Sequence, residues 1–140
     1  MREINFRAWD PGRKVMENCV EVNPFHIGDC DRRHWKWGEV ELMQFTGLHD
    51  SKRTEEYPEG QKIYEGDIFP DHFSSKNLGV VKFGEYRNPW MDDSYGGHVG
   101  FYIDWKNDSG SNRKDLAYWA KISGVVGNIC ENPEILEVAE

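Results

Sequence analysis

His98-Val99-Gly100-Phe101-Tyr102-Ile103-Asp104-Trp105 sets Val99, Phe101, Ile103 and Trp105 in alternation against Tyr102 and Asp104. A two-residue period puts successive side chains on opposite faces of an extended backbone, so this stretch reads as a half-buried strand. Before it, Arg87 to Gly97 contains Asn-Pro and Gly-Gly. After it, Lys106 to Asn112 contains Asn-Asp-Ser-Gly-Ser-Asn. Both have the composition of turns. Beyond the first turn Leu78 to Tyr86 reads as another strand, which makes a β-rich chain the expectation.

Toward the N-terminus, Gln61 to Tyr64 and Asp67 to Phe69 are short extended runs on either side of Glu65-Gly66. His49 to Gly60 is nearly all polar, ends on Pro and Gly, and has no period to fold around, so it is a loop. Trp35 to Phe45 is rich in aromatic and β-branched residues, but its apolar face switches from Val40 and Leu42 to Met43 and Phe45. That switch predicts a bulge or burial on both sides. At the start, Ile4, Phe6 and Ala8 alternate with Glu3, Asn5, Arg7 and Trp9. Asp10-Pro11-Gly12 then supplies a turn, and a returning strand is expected over Arg13 to Val22.

The last third is mixed. Leu116, Trp119 and Ala120 have helical spacing, while Ile122 to Ile129 is β-branched and broken by Gly124 and Gly127, which favours a strand ending near Cys130. Asn132-Pro133-Glu134 has the chemistry of a helix start: a capping Asn, a Pro at the first position and an early acid. The sum is an all-β or β-dominated fold, a small barrel-like or sandwich-like meander of about seven short strands. It carries at most one short C-terminal helical turn, in a single domain over residues 1–140.

The chain has 140 residues, 17 basic and 25 acidic, for a net charge of −8. Hydrophobic residues at 38% and aromatics at 14% supply enough apolar area for a real core, which excludes wholesale disorder. No apolar run approaches the roughly 20 residues that span a bilayer, and charges sit where a signal peptide would be apolar. A soluble, unexported cytoplasmic protein without membrane partners is the expectation. The acidic balance repels phosphate backbones and disfavours general nucleic-acid binding. Cys19, Cys30 and Cys130 are odd in number and lack CxxC spacing, which fits reduced thiols better than a disulfide framework.

Each candidate for chemistry has a plainer reading beside it. His26, Cys30 and His34, with Asp29 and Asp31 nearby, are zinc-type ligands. A helix would bring residues four apart onto one face, but Asn23-Pro24 and Gly28 make this a loop, and incidental His and Cys in a polar connection is the reading taken. Asp92, Asp93, Asp104 and Asp108 could hold magnesium or do acid–base work, yet 25 acids guarantee chance neighbours, and a solvated surface explains them. Cys30 beside His26 or His34 lacks any oxyanion-hole motif. Tyr95 to Gly100 lacks the Lys-Ser/Thr of a phosphate loop. Arg32, Arg33 and Lys36 interleaved with Trp35 and Trp37 could stack bases and hold phosphates, or could form a strand with rings inward. Exposed rings there would mark a protein interface. No catalytic, cofactor-binding or metal residue is assigned, and no cofactor is expected.

Three segments, taken in order, carry a resemblance: Ile4 to Asp10; Leu42 to Leu48 leading to Lys62 to Ile68; and Val125 to Leu136. Together they resemble the YopX-like family of bacteriophage and prophage proteins. The resemblance implies a small β-rich domain encoded by phages or integrated elements, and no established activity, cofactor or catalytic residue. Two departures stand out. The Leu48 to Lys62 connection is longer than the short turn usual in the family, and Cys130 occupies a place commonly held by Tyr or another bulky residue. Within the motifs Gly47 and Gly66 allow turns, Arg7 and Asp67 are candidates to pair, and Glu65 is a candidate to cap the turn.

The resulting expectation is a non-enzymatic phage or prophage accessory protein that binds a phage or host protein. The alternatives are a nucleic-acid-associated regulator using Arg32 to Trp37, and a small metal-dependent enzyme. Edge strands of a small β domain also make a homo-oligomer possible.

Overall fold

The computed structural model describes residues 4–29, 34–71, 77–89, 97–107 and 112–138. Strands dominate, as expected, and all pair antiparallel. β1 (Phe6–Asp10) and β2 (Val15–Glu17) form the anticipated hairpin. Its turn is fixed by the Asp10 carboxylate, which accepts from the backbone N–H of Gly12 and of Arg13. β6 (Glu41–His49) lies on the other side of β1, followed by β7 (Lys62–Tyr64), giving the order β2-β1-β6-β7. A second sheet runs β10-β9-β8-β11, from β8 (Asp67–Pro70), β9 (Leu78–Tyr86), β10 (His98–Trp105) and β11 (Gly127–Asn128). β3 (Val20–Val22), β4 (Ile27–Asp29) and β5 (His34–Trp35) make a third, small sheet.

The return strand expected over Arg13 to Val22 is divided in two. Pairing with β1 stops at Glu17, and β3 pairs with β4 instead, because Val20 packs on a separate buried cluster of Ala8, Ile27, Trp35 and Val40. The run Trp35 to Phe45 likewise breaks at a turn closed by Glu39 N–H to Lys36 C=O at 3.1 Å. The face switch within it corresponds to burial on both sides. Leu42 packs on the Ala8 cluster while Met43 and Phe45 are buried, and the register with β7 is irregular between Phe45 and His49.

The C-terminal expectation needs more correction. α1 (Leu116–Ile122) is a helix, and the strand read over Ile122 to Ile129 shrinks to β11. Leu116, Trp119 and Ala120 sit on one face of α1 and are buried in the main core with Ile63, Phe69, Val81, Ile103 and Trp105. Burial of that face outweighs the weak preference of neighbouring β-branched residues for extended backbone. The two indoles meet edge-to-face at 4.8 Å, and both donate to the carbonyl of Arg113. α2 (Pro133–Val138) begins at the Pro read as a first helical position, so two short helices stand where at most one helical turn was expected.

Cys19 is disulfide-bonded and Cys130 is a free thiol, so the reading of reduced thiols is corrected at Cys19. Count and spacing test for frameworks and CxxC motifs, not for one bridge closed by folding. Cys30 lies outside the described residues. No helix is long and apolar enough to cross a membrane among the described residues.

Candidate functional site

Arg7 was read on the polar side of β1, opposite Phe6 and Ala8. It does point that way, but the β7–β8 turn covers it, and its side chain is only 8% exposed. Its Nη2 donates to Asp67 Oδ1 at 2.7 Å and to the Glu65 carbonyl at 3.2 Å. The guanidinium carbon lies 4.7 Å from the centre of the Tyr64 ring, and Asp67 Oδ2 accepts the Tyr64 N–H at 2.8 Å. Nε is buried and has no acceptor.

Between β7 and β8 the chain turns at Glu65-Gly66, and Gly66 takes φ +86°, a conformation that suits glycine. Glu65 does not cap the turn it sits in: its Oε1 accepts the Gln44 N–H at 3.0 Å and so ties the turn to β6. The Gly66 carbonyl accepts the Ile129 N–H, and Asn128 pairs with Asp67 across β11 and β8. Segments far apart in sequence thus meet around one buried ion pair. Burial pushes the Asp67 carboxyl up, Arg7 pulls it down, and the balance is about 6.

Above this floor opens a cleft of about 690 Å³, lined by Arg7, Tyr64, Asp67 and Asn128, with residues 56–61 of the long loop forming a wall. The loop is polar and exposed, yet its base is stapled. Buried Asp50 accepts the N–H groups of Lys52, Gln61 and Val125 at 3.1, 2.9 and 2.9 Å, and its own N–H donates to the Gln61 carbonyl. Gly60 (φ +92°) closes the loop against it. A Cβ there would lie 2.1 Å from the Asp50 carbonyl oxygen, so only glycine fits. Ser51 donates through N–H and hydroxyl to the Ser123 carbonyl, tying the loop to the segment after α1.

The rim is acidic. Glu56, Glu59 and Glu131 are exposed along it, with Lys62 as a basic counterpart whose Nζ lies 5.1 Å from the Phe45 ring centre. The Glu56 charge pushes the Tyr57 hydroxyl above its ordinary value.

Other candidates fare differently. His26 and His34 are brought together, rings edge-to-face at 4.5 Å, by the β4–β5 hairpin rather than by a helix. A His26 ring nitrogen lies 3.3 Å from the Asn23 amide nitrogen. Cys30 and Asp31 lie outside the described residues, among which no group of three acids, histidines or cysteines could hold a metal. Asp104 pairs at 2.6 Å with Lys82 on the surface. Asp92, Asp93, Asp108, Tyr95, Gly96, Arg32 and Arg33 lie outside the described residues. Trp35 is buried and donates to Asp10 at 3.3 Å, which removes one ring from the proposed stacking cluster. Trp37 is 53% exposed, and its Nε1 donates to the Asn23 carbonyl. The Cys130 thiol donates to Glu41 and is pushed up to about 12 by burial and then by that carboxylate, so it is a poor nucleophile.

A second surface feature escaped the sequence reading. Phe83 and Phe101 face each other across β9 and β10 at 5.0 Å, on the side that carries buried Val81 and Ile103 further along. Past the core this side is open: Phe83 is 57% and Val99 73% exposed. Alternation announces which face is apolar, but not how far along the strand the core extends.

Comparison with known proteins agrees with this architecture. A family model described as YopX protein matches residues 5–137, nearly the whole chain. A solved structure, protein EF1440 from Enterococcus faecalis, is similar with a TM-score of 0.55 and 22% identity. The match covers 97% of this chain and 99% of that one, and at such identity it speaks for the fold alone. No curated protein matches the chain.

Proposed function

The chain belongs to the YopX family, and from that premise we propose that it is a non-enzymatic phage or prophage accessory protein that acts by docking onto another protein. The observation that carries this reading is the apolar row of Phe83, Phe101 and Val99 running off the end of the core. Phe83 and Val99, exposed beside the half-buried Phe101, gain up to about 1.5–3 kcal/mol each when a partner covers them fully, which favours an interface over a solvated surface. A hollow of about 410 Å³ beside the row, lined by Leu48, Phe101 and Tyr118, could take an inserted side chain. The same proposal places the protein in the cytoplasm of a bacterial host, where a bridge such as that at Cys19 is uncommon.

The test compares wild type with Phe83→Ser/Val99→Ser as bait in lysate from a bacterium carrying the parent phage or prophage. Wild type should retain a defined protein that the variant loses, with unfolding free energies within about 0.5 kcal/mol of each other. Equal retention by both baits, or none by either, refutes the reading. Sedimentation of the two baits alone reports whether a second copy of the chain is the occupant.

A further inference from the structure

The cleft is separate from the hairpin row, and its chemistry points to a different ligand. We propose that it binds a Lys- or Arg-bearing extended peptide segment, with the basic side chain at the Glu56, Glu59 and Glu131 rim and a backbone carbonyl taken by the Arg7 guanidinium. Two independent features support this. The first is the rim, where three exposed carboxylates border one opening in a chain of net charge −8. The second is the floor. Arg7 is more than nine-tenths buried and lines the cleft, yet within the described residues its hydrogen bonds all come from Nη2, while Nε is sealed without an acceptor. A guanidinium has five N–H donors; Nε is sealed and Nη2 is occupied, so the donors left for a ligand acceptor are those of Nη1, which makes no hydrogen bond among the described residues.

A free anion suits this arrangement poorly, because Asp67 already neutralises Arg7 at 2.7 Å and the rim repels negative charge. A neutral carbonyl adjoining a cation satisfies both ends. The Tyr57 hydroxyl, raised by the Glu56 charge, reports the same negative field at the wall. The base of the wall is fixed, Gln61 by its bond to Asp50 and Gly60 by its close approach to the Asp50 carbonyl, which limits the ordering entropy that binding must offset.

The test is fluorescence anisotropy at low salt with an acetylated, fluorescein-labelled hexapeptide alternating glycine and lysine, against matched glycine–glutamate and glycine–serine peptides. Two variants of equal charge change are compared: Glu56→Gln/Glu59→Gln/Glu131→Gln at the cleft and Glu21→Gln/Glu39→Gln/Glu85→Gln elsewhere. The lysine peptide alone should bind, at least 10-fold more weakly to the cleft variant and within 2-fold of wild type to the remote one. Its titration should also shift the Arg7 Nε–H resonance of nitrogen-labelled protein. Equal weakening by both variants would mean attraction by net charge alone and overturns the proposal. So does binding of the glutamate peptide, or an unmoved Arg7 resonance. None of these outcomes bears on the Phe83 surface, so the two readings fail separately.

Discussion

Replacing Arg7 by Met tests the central ion pair and gives a result whose size and pH dependence both follow from the geometry. The carboxyl of Asp67 rises from 3.8 to about 6 on folding, so its ionised form costs about 3 kcal/mol more in the folded than in the unfolded chain. The folded chain therefore holds a proton that the unfolded chain releases over that interval. Stability from this group is complete below 3.8 and is lost as pH rises through about 6. Arg7, 2.7 Å away, is what keeps the loss from being larger. In Arg7→Met the carboxylate is stranded with the Tyr64 N–H, and breaking a buried pair from one side costs about 3–5 kcal/mol at pH 7.5. At pH 5 the orphaned carboxyl takes up a proton and is neutral, so the cost shrinks by up to about 2 kcal/mol relative to wild type. Adding Asp67→Asn removes the buried charge, so the double variant should recover part of the loss at pH 7.5 and little at pH 5. Urea unfolding followed by the buried tryptophans Trp105 and Trp119 reads all four corners of the cycle. An Arg7→Met cost within 1 kcal/mol at both pH values, or one that grows on acidification, would refute the reasoning.

Gly60→Ala and Gly38→Ala should separate backbone strain from collision. Both positions have positive φ, +92° and +96°, but Gly38 faces open space while a Cβ at Gly60 meets the Asp50 carbonyl oxygen at 2.1 Å. Gly38→Ala should cost about 1 kcal/mol, and Gly60→Ala at least about 2 kcal/mol more, by thermal unfolding. Equal shifts would show that the loop base is not held as described. Cys130, pushed up to about 12, should react with Ellman's reagent in the native protein at pH 8 far more slowly than in urea. Equal rates in the two conditions would contradict its burial beside Glu41.

Much of the secondary structure was legible from local chemistry. β9 and β10 follow their alternation, while most of the turn residues read around β10 lie outside the described residues, and α2 starts at Pro133 as its capping chemistry implies. Of these residues, the Arg7 and Asp67 pairing could be named because both sit in the motif segments that resemble a family, whereas the bond from Glu65 to β6 could not. Glu56, Glu59 and Asp50 could not be, since a polar loop has no period and its residues gain roles only from what the chain brings opposite them.

By itself the sequence determined the strand-rich class, the turns and the family, because alternation, Pro and Gly act over a few neighbouring residues. Only the tertiary structure decided that Ile122 ends a helix, since burial of Trp119 against Trp105 is a contact between distant residues that outweighs local preference. It alone placed Arg7 under the β7–β8 turn, stapled the loop to Asp50 and left Phe83 beyond the edge of the core. Whether a given face is covered depends on where other parts of the chain come to rest, and no local pattern carries that information.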